Sequence, residues 1–233
     1  MTKENLSRLR EKRIFARKAL ERANCLPFKP ESSAKWTNIT RKWNGCVLVQ
    51  IEHDTIKNIT PLMMRWWFEN LSGTTTWNGN DFSGPEIMNY HLWHHRDHIA
   101  VTLLTHGIDG RENRGFLEGC DSKIEEIFNE VHFHVNTKMH TTKLNDEEFT
   151  FLIKIGGITM GHITHLYSEE ENGIRFYAET EIGSHIPIIG WLFNWIILPF
   201  VYNKRTGEHW IKHNIEETGR TEDILAVLYD RAH

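Results

Sequence analysis

The chain has 233 residues, enough to bury a substantial apolar core as one large domain or two small ones. A net charge of -4 argues against nucleic acid as the main partner, because a protein that tracks phosphates needs a positive surplus. Cys25, Cys46 and Cys120 are odd in number and lack Cys-x-x-Cys spacing, which speaks against a disulfide framework and a thiolate zinc site and fits a reducing cytoplasm.

Residues 3–22 place Leu6, Leu9, Ile14, Ala16 and Leu20 among clustered Lys and Arg, which predicts a surface helix within an N-terminal arm, residues 1–40. A secretory signal would be apolar where this segment is charged. The main domain is expected over 41–233. Residues 46–52 read as a strand. Thr60 as cap, Pro61 at the first helical position and Gly73 as terminator bracket a helix that is apolar almost all round, hence buried. Ser83-Gly84-Pro85-Glu86 has the form of a capping box and predicts a short helix towards Tyr90 and Trp93, which delivers a histidine cluster.

Five β-branched and aromatic stretches then follow, at 99–104, 123–135, 149–155, 158–167 and 174–182, with Gly156-Gly157 and Asn172-Gly173 as hairpin turns. Consecutive hairpins predict an antiparallel sheet. The apolar run 186–202 is broken by Gly190, Asn194 and two prolines and falls short of a membrane span, so no stable membrane insertion is expected. It reads as a buried helix, with a lid over a pocket as the next reading. A helix over 207–230 closes the chain. A sheet curling around a C-terminal helix is an α+β helix-grip arrangement, with a pocket between the two.

Fifteen residues are His, eleven of them gathered around positions 91–98, 132–140, 162–165 and 209–213. His213 and Glu217 stand four apart in the last helix, so both side chains can reach one cation.

Three stretches taken together, 59–68 (ITPLMMRWWF), 90–98 (YHLWHHRDH) and 213–217 (HNIEE), resemble the 2,4-diacetylphloroglucinol hydrolase and phloretin hydrolase family. The resemblance runs from about His53 to the C-terminus. It implies a helix-grip fold of the Bet v 1/START-like type, a zinc ion held by two His and two Glu, and cleavage of the carbon–carbon bond between a phenolic ring and an acyl group. Carried across, the family's C-terminal ligand pair falls on His213 and Glu217, its first ligand on His98, and a substrate-contacting tyrosine on Tyr90. The second glutamate should follow on the long strand, where Glu130 is the best candidate and Glu126 the fallback on the same face.

The family also uses a pocket histidine on a later strand. His162 and His165 differ by three, so in a regular strand only one faces the pocket, and spacing favours His165. In that register Thr180 stands where some members carry a second phenol-binding tyrosine, and Tyr177 enters only if the register shifts.

The expected function is therefore zinc-dependent hydrolysis of a small aromatic ketone of acylphloroglucinol type, with His165 moving a proton and Tyr90 holding a ring hydroxyl. Imidazole and carboxylate also accept Mn2+ or Fe2+. A homodimer stays open. The alternatives are a helix-grip protein that binds an aromatic or polyketide ligand without chemistry, and a metal-dependent lyase or cyclase.

Overall fold

The computed structural model describes residues 28–78, 81–128 and 133–233, so the N-terminal helix expected over 3–22 lies outside the described residues. Strands β1 (Trp36–Arg41), β2 (Val47–Glu52), β6 (His98–Leu103), β9 (Asp121–Phe128), β10 (Phe133–Leu144), β11 (Glu148–Ile155), β12 (Ile158–Glu170) and β13 (Gly173–Ile182) form one sheet. They are ordered β1-β2-β13-β12-β11-β10-β9-β6, antiparallel throughout, and the short β3 (Ile56–Lys57) extends it on β13. Because β1 pairs with β2, residues 36–40 belong to this sheet rather than to an arm.

Among the described residues five α-helices complete the fold: α1 (Pro61–Glu69), α2 (Asn89–Trp93), α3 (Ile189–Ile196), α4 (Leu198–Val201) and α5 (Lys204–Ala232). The result is an α+β architecture with a large antiparallel sheet and a long C-terminal helix. The sheet must be curved. Gly207 of α5 abuts Ile39 of β1 and Val49 of β2, while His213 packs on Phe128 of β9 with ring centroids 4.3 Å apart. Six helical residues rise only about 9 Å, whereas β1 and β9 would lie roughly 30 Å apart in a flat sheet.

The concave face holds the core. Phe149 and Phe151 of β11, Ile163 of β12, and Phe176 and Ala178 of β13 alternate inward and meet Ile211, Ile215, Ile224 and Leu225 of α5 in one cluster. The hairpin turns fall where the glycines predict: Gly156 and Gly157 both have positive φ, and Asn172 (φ 69°) turns β12 into β13. At Gly173 a Cβ would meet the Ile56 carbonyl at 2.1 Å, so only glycine lets β3 approach.

Thr60 caps α1 by accepting from the Met63 amide at 3.3 Å, as its sequence predicts. The helix is nevertheless two-sided, with Met64, Trp67 and Phe68 buried and Leu62 exposed. Three other expectations change. Residues 86–88 pair as a strand with Thr74–Thr76, so Ser83 caps no helix and α2 begins only at Asn89. The long strand expected over 123–135 is a hairpin, in which Phe128 of β9 pairs with Phe133 of β10.

The apolar run after β13 is no buried helix. Ile188, Ile189, Trp191, Trp195, Ile196 and Phe200 are all exposed, and mainly Asn194, Gly190 and Leu198 turn inward. No helix among the described residues is long and apolar enough to cross a membrane.

Candidate metal centre

Cross-strand pairing and one helical turn assemble the centre. His98 opens β6 directly opposite Glu126 of β9, which puts both on one face of the sheet. Over that face α5 presents His213 and Glu217, one turn apart and both buried. The ligand atoms of His98, His213 and Glu217 lie within 4.8 Å of one another. Glu217 Oε2 is 3.1 Å from His98 Nε2 and 3.5 Å from His213 Nε2, and Glu126 Oε1 stands 3.9 Å from His98 Nε2.

Each imidazole is held by its other nitrogen. His98 Nδ1 lies 2.7 Å from the Tyr90 carbonyl, to which it can only donate, and this turns Nε2 towards Glu217 and His213. His213 Nδ1 donates to Asp97 Oδ2 at 3.1 Å, the carboxylate–histidine arrangement that fixes ring orientation at metal centres. His98 Nε2 is buried and, among the described residues, makes no hydrogen bond despite its short distance to Glu217. A buried ring nitrogen left without a hydrogen bond beside a carboxylate is compatible with a cation between them.

The electrostatics make the same demand. Burial alone would push the Glu217 carboxyl up, but the His213 imidazole beside it outweighs burial and holds it well below the usual carboxylate range. Burial likewise pulls His213 down, and Glu217 and Asp97 override it, so that in the absence of a cation the imidazole itself carries the positive charge. A bound divalent ion would take over that charge from the proton. Two imidazoles with two carboxylates form a neutral set for such an ion.

Supporting groups fix the carboxylates. Asn214 Nδ2 donates to Glu217 Oε1 at 2.9 Å, and His53 Nε2 donates to Asn214 Oδ1 at 3.0 Å, leaving Glu217 Oε2 for the centre. The Tyr90 hydroxyl donates to Glu126 Oε1, while its ring stacks on His98 at 3.7 Å. Burial and then Glu126 keep this phenol protonated, well above its ordinary pKa. Tyr90 thus lines the cleft but spends its hydroxyl on a carboxylate, not on an open pocket. His94, Asp97 and His213 also lie close together, but His94 Nε2 is committed to Glu216 at 3.0 Å and Asp97 to His213.

Beside the centre a narrow cleft, with a cavity volume of about 50 Å3, runs between sheet and helix. Trp93, Phe116, Phe149, Phe151 and Trp210 wall it, and Glu126, His165, His213 and Glu217 face into it. His165 is buried, burial pulls its pKa down to about 4, and its Nδ1 makes no hydrogen bond among the described residues. His162 points to the other face, 3.7 Å from Glu179. Thr180 is buried on the inner face and bonds the His162 carbonyl, whereas Tyr177 faces outward to Gln50 and Glu179.

Of the ligands expected from sequence, His98, His213 and Glu217 converge. Glu130 lies outside the described residues; among the described residues the second carboxylate beside the centre is Glu126. The hairpin separates the two: a continuous strand would make residues 126 and 130 equivalent by parity, and the turn after Phe128 ends that equivalence. Sequence reading passed over Asp97, Asn214 and His53. The first two adjoin His98 and His213 and could have been found as their polar neighbours; His53 carries no local signal.

No family model matches the chain, and no curated protein matches it. Among solved structures it is remotely similar to protein Ms6760 from Mycobacterium smegmatis, at 9% identity over 84% of this chain and 99% of that one, TM-score 0.41. A protein of unknown function, SA2116 from Staphylococcus aureus, is similar at 14% identity over 76% of this chain and 94% of that one, TM-score 0.39. CalU16 from Micromonospora echinospora is similar at 12% identity over 81% of this chain and 98% of that one, TM-score 0.35.

Proposed function

We propose that the chain is a helix-grip hydrolase of Bet v 1/START-like type that uses a divalent cation, zinc by preference, to cleave the carbon–carbon bond between a polyhydroxylated ring and an acyl group. The observation that carries this reading is the convergence of His98 Nε2, His213 Nε2 and Glu217 Oε2 at the end of an aromatic cleft, with Glu126 beside them. A bound zinc would supply polarisation of the acyl carbonyl and a lowered water pKa. His98, Glu126, His213 and Glu217 would hold it, and Asp97, Asn214 and Tyr90 keep those four aimed.

The rest of the chemistry belongs to the protein's own groups. Phe149, Phe151 and Trp210 offer faces for a phenolic ring and exclude water from it. Once a proton has moved from a ring hydroxyl onto the acyl-bearing ring carbon, water's oxygen bonds to the acyl carbon, the ring–acyl bond breaks, and its electron pair runs through the ring to the keto oxygen, which takes the proton water gives up as the ring returns to the phenol. The products are a carboxylic acid and the deacylated ring. His165, neutral and with a free Nδ1 in the cleft, relays a proton between a ring hydroxyl and that carbon.

The test is acid release from acylphloroglucinols by protein purified without chelator, with metal content measured on the same sample. At least one divalent ion per chain and release that stops on chelation are expected. Metal-free protein that zinc does not activate, but that binds the ketone unchanged, would make the chain a carrier of aromatic ligands instead.

A further inference from the structure

A second cluster of metal-ligating side chains lies away from the cleft, where the residue before β2 meets the end of β13. Cys46, Glu181 and His185 bring Sγ, a carboxylate oxygen and a ring nitrogen within 4.8 Å of one another. His185 Nε2 is 4.0 Å from Cys46 Sγ and 2.9 Å from Glu181 Oε1. Register creates the cluster: Ile182 pairs with Val47 and Glu181 with Leu48, so Cys46 stands at the end of the ladder beside Gly183. A Cβ at Gly183 (φ +144°) would come within 2.6 Å of the sulfur, so glycine keeps this niche open.

Two features mark the cluster as a ligand set. Glu181 is buried, and no hydrogen bond reaches its Oε1 among the described residues, although the His185 nitrogen is at contact distance. Its other oxygen, Oε2, is ion-paired with Lys42, which leaves Oε1 as the atom turned to the niche. Cys46 is fully buried, and its sulfur accepts an N–H from Asn194 at 3.3 Å, which anchors it beside the niche. Asn194 is the buried polar residue of the otherwise apolar α3 and is also anchored by Asn44 and Ser184.

We propose that Cys46, Glu181 and His185 form a second metal site, specific for a thiophilic divalent cation such as zinc, with a fourth position open to water. Thiolate, carboxylate and imidazole together select such ions over magnesium or calcium. Binding releases the thiol proton to solvent. His185, its side chain 61% exposed, closes the site from the solvent side. Cysteine spacing in the sequence gives no hint of it, because the three ligands come from two segments that only the sheet makes neighbours.

Cobalt(II) distinguishes this site from the first, which contains no sulfur. Full-length protein titrated with cobalt(II) should develop a thiolate-to-metal charge-transfer band saturating near one equivalent per chain, present equally in a Glu217→Gln variant. Cys46→Ser should abolish the band and Cys120→Ser should keep it. His185→Ala, at an exposed position that does not threaten folding, should weaken cobalt binding roughly tenfold to a hundredfold. No thiolate band in wild-type protein, or a band that survives Cys46→Ser, would overturn the site. A band that is unchanged in His185→Ala would overturn it too.

Discussion

At the scale of single residues, Glu216 and Glu217 are adjacent, both buried, and committed to different tasks. Glu217 Oε2 faces the two imidazoles, whereas Glu216 takes Arg96 Nη2 at 2.6 Å and His94 Nε2 at 3.0 Å. Glu217→Gln should lower zinc affinity at least a hundredfold. Glu216→Gln should leave zinc content near wild type and cost about 1–3 kcal/mol of stability through weakened charged hydrogen bonds. Inductively coupled plasma analysis beside urea unfolding separates the two; equal zinc loss would remove Glu217 from the ligand set. Asp97→Asn, which loosens the His213 ring without removing a ligand, should fall between them at about tenfold to a hundredfold weaker zinc binding. For the proton path, His165→Ala should keep the metal and slow turnover by roughly a hundredfold or more, and His162→Ala should do neither. The reverse order would mean that His165 is only a packing residue among Phe68, Phe149 and Phe176.

At the scale of elements, the strand pairing brings Glu126 to the proposed centre. His98 and Glu126 are cross-strand partners, and Tyr90 reaches the same carboxylate from α2. Glu126→Gln should therefore reduce zinc retention and acid release together, while Glu130→Gln leaves zinc retention unchanged. Zinc loss confined to Glu130→Gln would return the ligand to the connection after β9. The comparison also shows what local sequence can carry. His213 and Glu217 were readable because helical spacing fixes their geometry within five residues, and His165 was separable from His162 because alternation along a strand is a local rule. Glu126 was not separable from Glu130, since parity says nothing about where a strand turns back. Asn194 misled for a related reason: an apolar run reads as buried until the fold shows that its one polar residue supplies the inward contacts.

At the scale of the whole molecule, the concave core contains imidazoles that folding keeps neutral, and this sets how stability responds to acid. His53 and His165 are fully enclosed, and burial pulls each pKa down to about 4; the Asn214 bond to His53 and the charge of Glu217 only partly oppose this. An unfolded chain titrates its histidines near the ordinary 6.5. Between those values the unfolded state binds more protons than the folded one, so stability rises with pH across that window. The contribution is fully present above pH 6.5 and is lost as pH falls towards 4, at roughly 1 kcal/mol per pH unit for each group. His213 acts oppositely but elsewhere: its raised pKa matters only above 6.5, where its protonated form is lost. Glu217, held low, contributes below the window, where unfolded carboxylates begin to protonate. Urea unfolding of chelated protein between pH 7.5 and 4.5 should show the midpoint falling as pH drops through 6. His53→Gln, an uncharged donor towards Asn214, should flatten that fall by about a third, because the effect is shared with His165 and with His94, whose pKa burial also pulls well below 6.5. A midpoint independent of pH between 6.5 and 5, in wild type as in His53→Gln, would show that these imidazoles are hydrated in the folded chain and that the cleft beside the metal centre is wet.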